Sequence, residues 1–233
     1  MKKWNKLTIF LIPIGIAVNV VGGQLALMLK LPVFLDSIGT FVVAALCGIV
    51  PGLIVAVGTQ LINAITTPTV LAFIEISMLF AVVSYFFAKW KIYKSPVKSA
   101  LCGVVVAVID ACLAVPTTAF LLGGFAGTGA STIVAALMAA GWGVFPATFV
   151  SEIASETMDK VVCMIIIFIV LSVIGLGIND GIMWILNGIL SPFIPTYYYL
   201  VSKIVATAIV MVWNFVSRKI FLEEKNQGNE NAA

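Results

Sequence analysis

No histidine occurs anywhere in the chain, and its 233 residues include only 13 Lys and Arg and 10 Asp and Glu. Without an imidazole there is no ready general base near neutral pH, and no Ser or Cys stands beside one. The sequence also lacks an HExxH helix, a CxxC pair and a Walker A loop. It therefore offers no catalytic constellation, no metal site and no phosphate-binding loop. These absences predict a non-enzyme with no resident cofactor, and nothing marks nucleic acid as a partner. Cys47, Cys102, Cys112 and Cys163 all fall inside apolar runs, where they read as small buried hydrophobes. No run alternates apolar and polar residues with a period of two, which excludes a transmembrane barrel.

What is present is apolar surface in excess. The chain is 62% hydrophobic and 10% charged, with a mean hydropathy of +1.17. More than half of a soluble protein's accessible surface is already apolar, so a water-soluble core cannot hide this much. Apolar runs of about 20 residues recur along the chain, the signature of transmembrane helices. The expected fold class is all-α, a polytopic transmembrane bundle of six helices with a C-terminal two-helix hairpin. Spans are predicted at about 8–28, 35–50, 52–66, 70–88, 99–122 and 158–176, then at about 182–199 and 201–217. The segment "GGFAGTGASTIVAALMAAGWGVFPATFVSE" is broken by Gly and Pro and reads as a loop, a short helix and the approach to a long sixth helix. The opening "MKKWNKLTIFLIPIGIAV" has the basic start of a signal peptide without a small-residue cleavage site, so it is expected to be an uncleaved first span. Three regions follow: a membrane domain at 1–178, the hairpin at 179–222 and a polar cytoplasmic tail at 223–233.

Lysines set the expected orientation. Lys2, Lys3 and Lys6 precede the first span, Lys89, Lys91, Lys94 and Lys98 follow the fourth, and Arg218, Lys219 and Lys225 follow the last. Four spans and then four more place all three clusters on one side, so both termini are expected in the cytoplasm of a prokaryotic plasma membrane. Lys30 and Asp36 in the first loop, Thr66 to Thr69 in the second and "GGFAGTGAS" in the third then face outward. Pro51-Gly52 is predicted to form the tight cytoplasmic turn between the second and third helices, and the Gly-rich third loop a flexible lid.

Several polar groups stand at membrane depth. Glu75 is expected near the outer end of the fourth span and Asp110 near the middle of the fifth. A carboxylate at such depth costs about 2.5–3.5 kcal/mol on insertion scales and should face the bundle interior or a hydrated cavity. Each reads either as a ligand contact or as an internally paired structural group. In "SEIASETMDK", Glu152 and Glu156 share a helix face, and Glu156 can pair with Lys160 four residues on. An exposed acidic helix start complementing the dipole is the alternative for them. Asn19, Gln24, Gln60 and Asn63 add amides that join helices, with a ligand contact as the alternative for Gln24 and Asn63. Gly15, Asn19, Gly22, Gly23 and Ala26 form a small-residue stripe on the first span, suited to close packing within the chain or to docking another membrane protein.

The stretch "LKLPVFLDSIGTFVVAALCGIVPGLIVAVGTQLINAI" resembles the second and third helices of S components of energy-coupling factor (ECF) vitamin transporters, with their external loop and "G-x-x-P-G" turn. "SEIASETMDKVVCMIIIFIVLSVI" is similar to their closing helix, which often starts with a D-K pair, here Asp159-Lys160. The likeness covers roughly residues 8 to 176. It implies a six-helix, non-enzymatic subunit that captures a vitamin or similar micronutrient outside, then docks on a membrane scaffold (the T component) coupled to ATP-hydrolysing subunits. The implied cap is Lys30 to Ser37, which holds Asp36, and Glu75, Asp110, Trp142 and Glu152 lie on the implied pocket walls; Asn63 and Glu156 are binding candidates from the residues alone. Docking in that family uses small residues of the first helix. Here Ala17 and Val21, or Gly22 and Ala26, stand at that spacing, with Gly15 on the same helix. The outward acids favour a cationic or donor-rich ring, although neutral vitamins suit equally.

The tail "YYYLVSKIVATAIVMVWNFVSRKIFLEEK" instead resembles the last helix of GtrA-like proteins, linked to movement of polyprenyl-phosphate sugars. That makes a lipid-linked sugar translocase the alternative, with a non-transporting membrane scaffold as a third reading. The tail's basic end would meet anionic membrane lipids, at about 1 kcal/mol per Lys or Arg near the surface.

Overall fold

The structure, a computed structural model, describes residues 6–190 together with 199, 202 and 203. It is helical throughout, with no strand among the described residues. The elements are α1 (Lys6–Met28), α2 (Ile38–Cys47), α3 (Ile49–Asn63), α4 (Ile74–Lys89) entered through a 3-10 turn at Pro68–Phe73, α5 (Pro96–Pro116) ending in a π-helical turn at Thr117–Leu121, α6 (Ala130–Ala139) and α7 (Val144–Leu190). Four of these segments are long and apolar enough to cross a membrane: Lys6–Met28, Pro68–Lys89, Pro96–Leu121 and Val144–Ile174. The chain is a membrane-embedded all-α bundle.

Helices α2 and α3 have 10 and 15 residues, or about 15 and 22 Å at 1.5 Å per residue. Each is shorter than a hydrocarbon core of about 30 Å, where the sequence predicts two full crossings. The break between them also differs from expectation. It falls at Gly48, whose φ of 98° is left-handed backbone that glycine adopts freely. Pro51 and Gly52 sit in the first turn of α3, where Pro51 removes an N–H that has no helical acceptor. Gly52 lies against Ala44 so closely that an added Cβ would stand 2.6 Å from the Ala44 Cβ. The two helices thus fold back on each other as a tight antiparallel pair.

Small residues bring α1 onto this pair. A Cβ on Gly39 would sit 2.0 Å from the Gly15 carbonyl oxygen, and one on Gly15 would sit 2.8 Å from Val43. Asn19, fully buried, ties the three helices: its Nδ2 donates to Thr40 Oγ1 (2.9 Å) and Thr59 Oγ1 (3.1 Å), and its Oδ1 accepts from the Gly39 N–H (2.6 Å). Such contacts matter because lipid supplies no hydrophobic drive for helices to associate. On the other side of α2, Phe41 stacks on Phe80 at 5.3 Å and the Ser84 hydroxyl donates to the Phe41 carbonyl. Ile76, Phe80, Val106, Ala114, Met164 and Ile167 continue this core through α4, α5 and α7. Cys163 is buried as expected, whereas Cys47 and Cys102 are half-buried and Cys112 is exposed on α5, contrary to their expected burial.

The Gly-rich segment, α6 and the start of α7 follow the predicted order of loop, short helix and long helix. Helix α7 begins at Val144, earlier than the expected 158, and it runs unbroken to Leu190 across the break expected near 177–181. The chain divides into two compact units, residues 1–171 and 172–233. Nearly all of the second hairpin helix and the whole polar tail fall outside the described residues, as do Asn214 to Phe221 of the GtrA-like stretch.

The packing predicts unequal glycine substitutions. Gly39→Ala should destabilise by about 1–3 kcal/mol, as overpacking against rigid backbone does. Gly58→Ala, whose methyl meets the flexible end of Ile16, should cost clearly less. Thermal unfolding of the two variants in detergent is the check, and equal midpoints would contradict this account.

Candidate functional site

Lys160 is the pivot of the site. It stands 16 residues into α7, about 24 Å along the helix at 1.5 Å per residue. That is near the middle of the candidate membrane span Val144–Ile174, and the lysine is 1% exposed. Its Nζ lies 3.0 Å from Asp110 Oδ2, 2.8 Å from Glu156 Oε2 and 2.8 Å from Asp159 Oδ2. It also lies 4.5 Å from the centre of the Phe80 ring, a cation–π contact. Helix α5 comes close enough to supply Asp110 because Gly103 faces α7. A Cβ there would meet the Lys160 carbonyl at 3.0 Å and Val161 Cα at 3.1 Å. Asp110 lies two turns further along α5, on the same face.

Asp159 uses its other oxygen to hold a loop. Oδ1 accepts the backbone N–H groups of Phe34 (3.0 Å) and Leu35 (2.7 Å). Two residues on, Ser37 Oγ and Cys163 Sγ approach to 3.8 Å. The loop 29–37 is thereby fastened along α7, and α1 makes room for it. A Cβ on Gly22 would stand 2.3 Å from the Leu35 carbonyl oxygen, and one on Gly129 2.0 Å from that of Leu31. Lys30 and Leu35 adopt φ of 51° and 53°, a region that non-glycine residues enter only when their surroundings hold them there.

Beneath this loop lies a cavity lined by Phe34, Asp36, Gln60, Thr69, Val70, Phe73, Ile76, Ser77, Phe80, Asp110, Ala114, Ala126, Thr128, Glu152, Glu156 and Lys160. These residues come from the loop before α2, the C-terminal end of α3, the 3-10 turn and first half of α4, the later half of α5, the Gly-rich segment and residues 152–160 of α7. A smaller pocket adjoins it and shares Phe34, Asp36, Val70 and Thr128, adding Asn63 and Gln24. The Gly-rich segment also closes in: the Ala126 carbonyl accepts from Thr69 Oγ1 at 3.0 Å, and Ser151 Oγ on α7 donates to the Ala130 carbonyl at 2.8 Å.

Of the residues singled out in sequence, the structure brings Asp36, Asp110, Glu152 and Glu156 together around the main cavity, with Asn63 in its neighbour. Glu152 and Glu156 are 5% and 4% exposed, so they are not a solvated helix start. The expected pair of Glu156 with Lys160 forms. Glu75 falls in the first turn of α4 with its side chain exposed, turned away while its neighbours Ile76 and Ser77 line the cavity. Trp142 is exposed between α6 and α7 and lines neither pocket. Gly15, Gly22 and Ala26 face the chain's own α2 and the loop, while Ala17 faces outward. Sequence reasoning left out Lys160, Asp159, Phe34 and Gln60 as site residues. The expected sixth span, beginning at about 158, put Asp159 and Lys160 at its edge, and only the earlier helix start at Val144 places them deep within the segment.

Asp36 lies in the loop, before α2. Burial pushes its carboxyl up from 3.8 to about 6; Lys160 pulls it back, while Asp159 and Asp110 push it further up. Comparison of the chain with family models, curated proteins and solved structures returns no match.

Two outcomes follow from this electrostatics. A carboxyl whose pKa is raised on folding binds its proton more tightly in the folded state. Its contribution to stability is therefore full below about 3.8 and is lost as pH rises through about 6. Asp36→Asn should flatten the fall in stability across that window, as read from unfolding midpoints at a series of pH values; an unchanged profile would contradict the assignment. Lys160→Met leaves three buried acids without their cation and should cost about 3–5 kcal/mol. Asp110→Asn should destabilise the wild type yet stabilise Lys160→Met, a reversal that a double-mutant cycle reads directly. The same sign in both backgrounds would disprove the coupling.

Proposed function

We propose that the chain is the substrate-binding membrane subunit of an ECF-type importer. It captures a vitamin or similar micronutrient at the external face and passes it on through a partner scaffold and ATP-hydrolysing subunits. The observation that carries this reading is the cavity at one end of the bundle, roofed by the loop 29–37 that Asp159 fastens down. A cavity with a few placed polar groups among aromatic walls, closed by a fold-back loop, suits reversible capture of a small molecule. The resemblance of residues 8–176 to S components supports the same reading, since the loop lies where that likeness implies a cap. The lysines before α1 and after α4 support an orientation with this end outward and both termini cytoplasmic.

No chemical step is needed. The walls bind and orient the guest, and the loop must release Asp159 for the guest to enter or leave. The test is a thermal-shift panel of water-soluble vitamins against the purified full-length protein. One member is expected to raise the midpoint by several degrees, as binding to the native state alone requires, and to lose that effect in Gln60→Leu. A panel that gives no shift with any member would contradict the proposal. So would a single cysteine at position 36 that reacts only from the cytoplasmic side.

A further inference from the structure

The cavity's charge is unbalanced. Asp36, Asp110, Glu152 and Glu156 line it against one lysine. That lysine has three N–H bonds, and three carboxylates (Asp110, Glu156 and Asp159) already surround them at 2.8 to 3.0 Å. Lys160 therefore has no donor left for a guest. Asp36 and Glu152 form no salt bridge among the described residues. Both lie at the cavity wall without a cationic side chain in direct contact among the described residues.

A second observation points the same way. Gln60, 5% exposed, lines this cavity. Its Nε2 donates to Ser77 Oγ, but its Oε1 has no hydrogen-bond partner. A buried acceptor left empty costs about 1–3 kcal/mol, so an occupant that donates a hydrogen bond is what the site lacks. In the adjoining pocket Asn63 Oδ1 is likewise without a partner. The same cavity wall carries three aromatic rings, those of Phe34, Phe73 and Phe80. An anionic guest would face four acids, and a neutral one would bring no cation to them. No cluster of the described residues is arranged to hold a metal ion.

We infer that the cavity takes a small organic cation, a planar ring carrying a protonated amine or amidinium, whose N–H groups meet Asp36, Glu152 and Gln60 while its ring lies among the phenylalanines. This inference rests on the proposed capture function and fixes the charge class of the cargo. The protein supplies the counter-charge in excess and keeps Lys160 as an internal tie, not as a ligand contact.

The experiment measures binding of three isosteric probes, benzamidinium, benzamide and benzoate, to the full-length protein in detergent by calorimetry. Benzamidinium should bind at least about tenfold more tightly than benzamide, since a charge-assisted hydrogen bond is worth 1.5 kcal/mol or more, and benzoate most weakly. Asp36→Asn and Glu152→Gln should each weaken benzamidinium at least about fivefold and weaken benzamide by a clearly smaller factor, with unfolding midpoints confirming that both variants fold. Equal or tighter binding of benzamide or benzoate would overturn the cation assignment while leaving capture of a small molecule intact. Benzamidinium affinity unchanged in both variants would overturn it too, as would binding of none of the three, and the vitamin panel then decides capture independently.

Discussion

One ammonium group organises this protein. Lys160 is buried within a candidate membrane span, where an isolated charge is costly, and three carboxylates from α5 and α7 surround it. Burying these charges carries a desolvation cost that close geometry must offset. The geometry is supplied by Gly103, which lets α5 approach the backbone of α7 at the lysine itself. The ion cluster therefore adds more to specificity of packing than to raw stability. It fixes the register of α7 against α5, because sliding either helix by a turn would strand a charge in apolar surroundings.

The cluster also reaches outside the helices. Asp159 divides its two oxygens between Lys160 and the backbone of Phe34 and Leu35. The loop above the cavity is thus coupled to the charge state below it through a single side chain. Glycines complete this arrangement from the opposite side: Gly22 admits the Leu35 carbonyl and Gly129 that of Leu31. A loop with two non-glycine residues at positive φ is held by these contacts and not by its own preferences. In the proposed function, a guest that disturbs the cluster would feel the loop, and the loop would feel the guest.

The all-α, membrane-embedded character was legible because apolar length is a strong signal in a membrane chain. The order of loop, short helix and long helix after Leu122 could be read from Gly and Pro alone. The turn between α2 and α3 was misread because Pro51-Gly52 has turn chemistry, while the contact that decides the matter is Gly52 on Ala44, which depends on tertiary packing. Glu75 illustrates the same limit: its depth suggested an interior group, but one residue of helical phase, about 100°, turns it outward and Ile76 inward. Asp110, Glu152 and Glu156 were legible as buried acids because few other places exist for them. The role of Asp159 was not, since its partners are backbone groups 125 and 124 residues away.

The central claim is that Asp159 fastens the loop over the cavity. Hydrogen exchange at the amides of Phe34 and Leu35, measured on the full-length protein in lipid nanodiscs, tests it most directly. The account predicts slow exchange in the wild type and acceleration of at least about tenfold at both amides in Asp159→Asn, because a neutral amide is a weaker acceptor than a carboxylate. Equal exchange rates in the two proteins would contradict it.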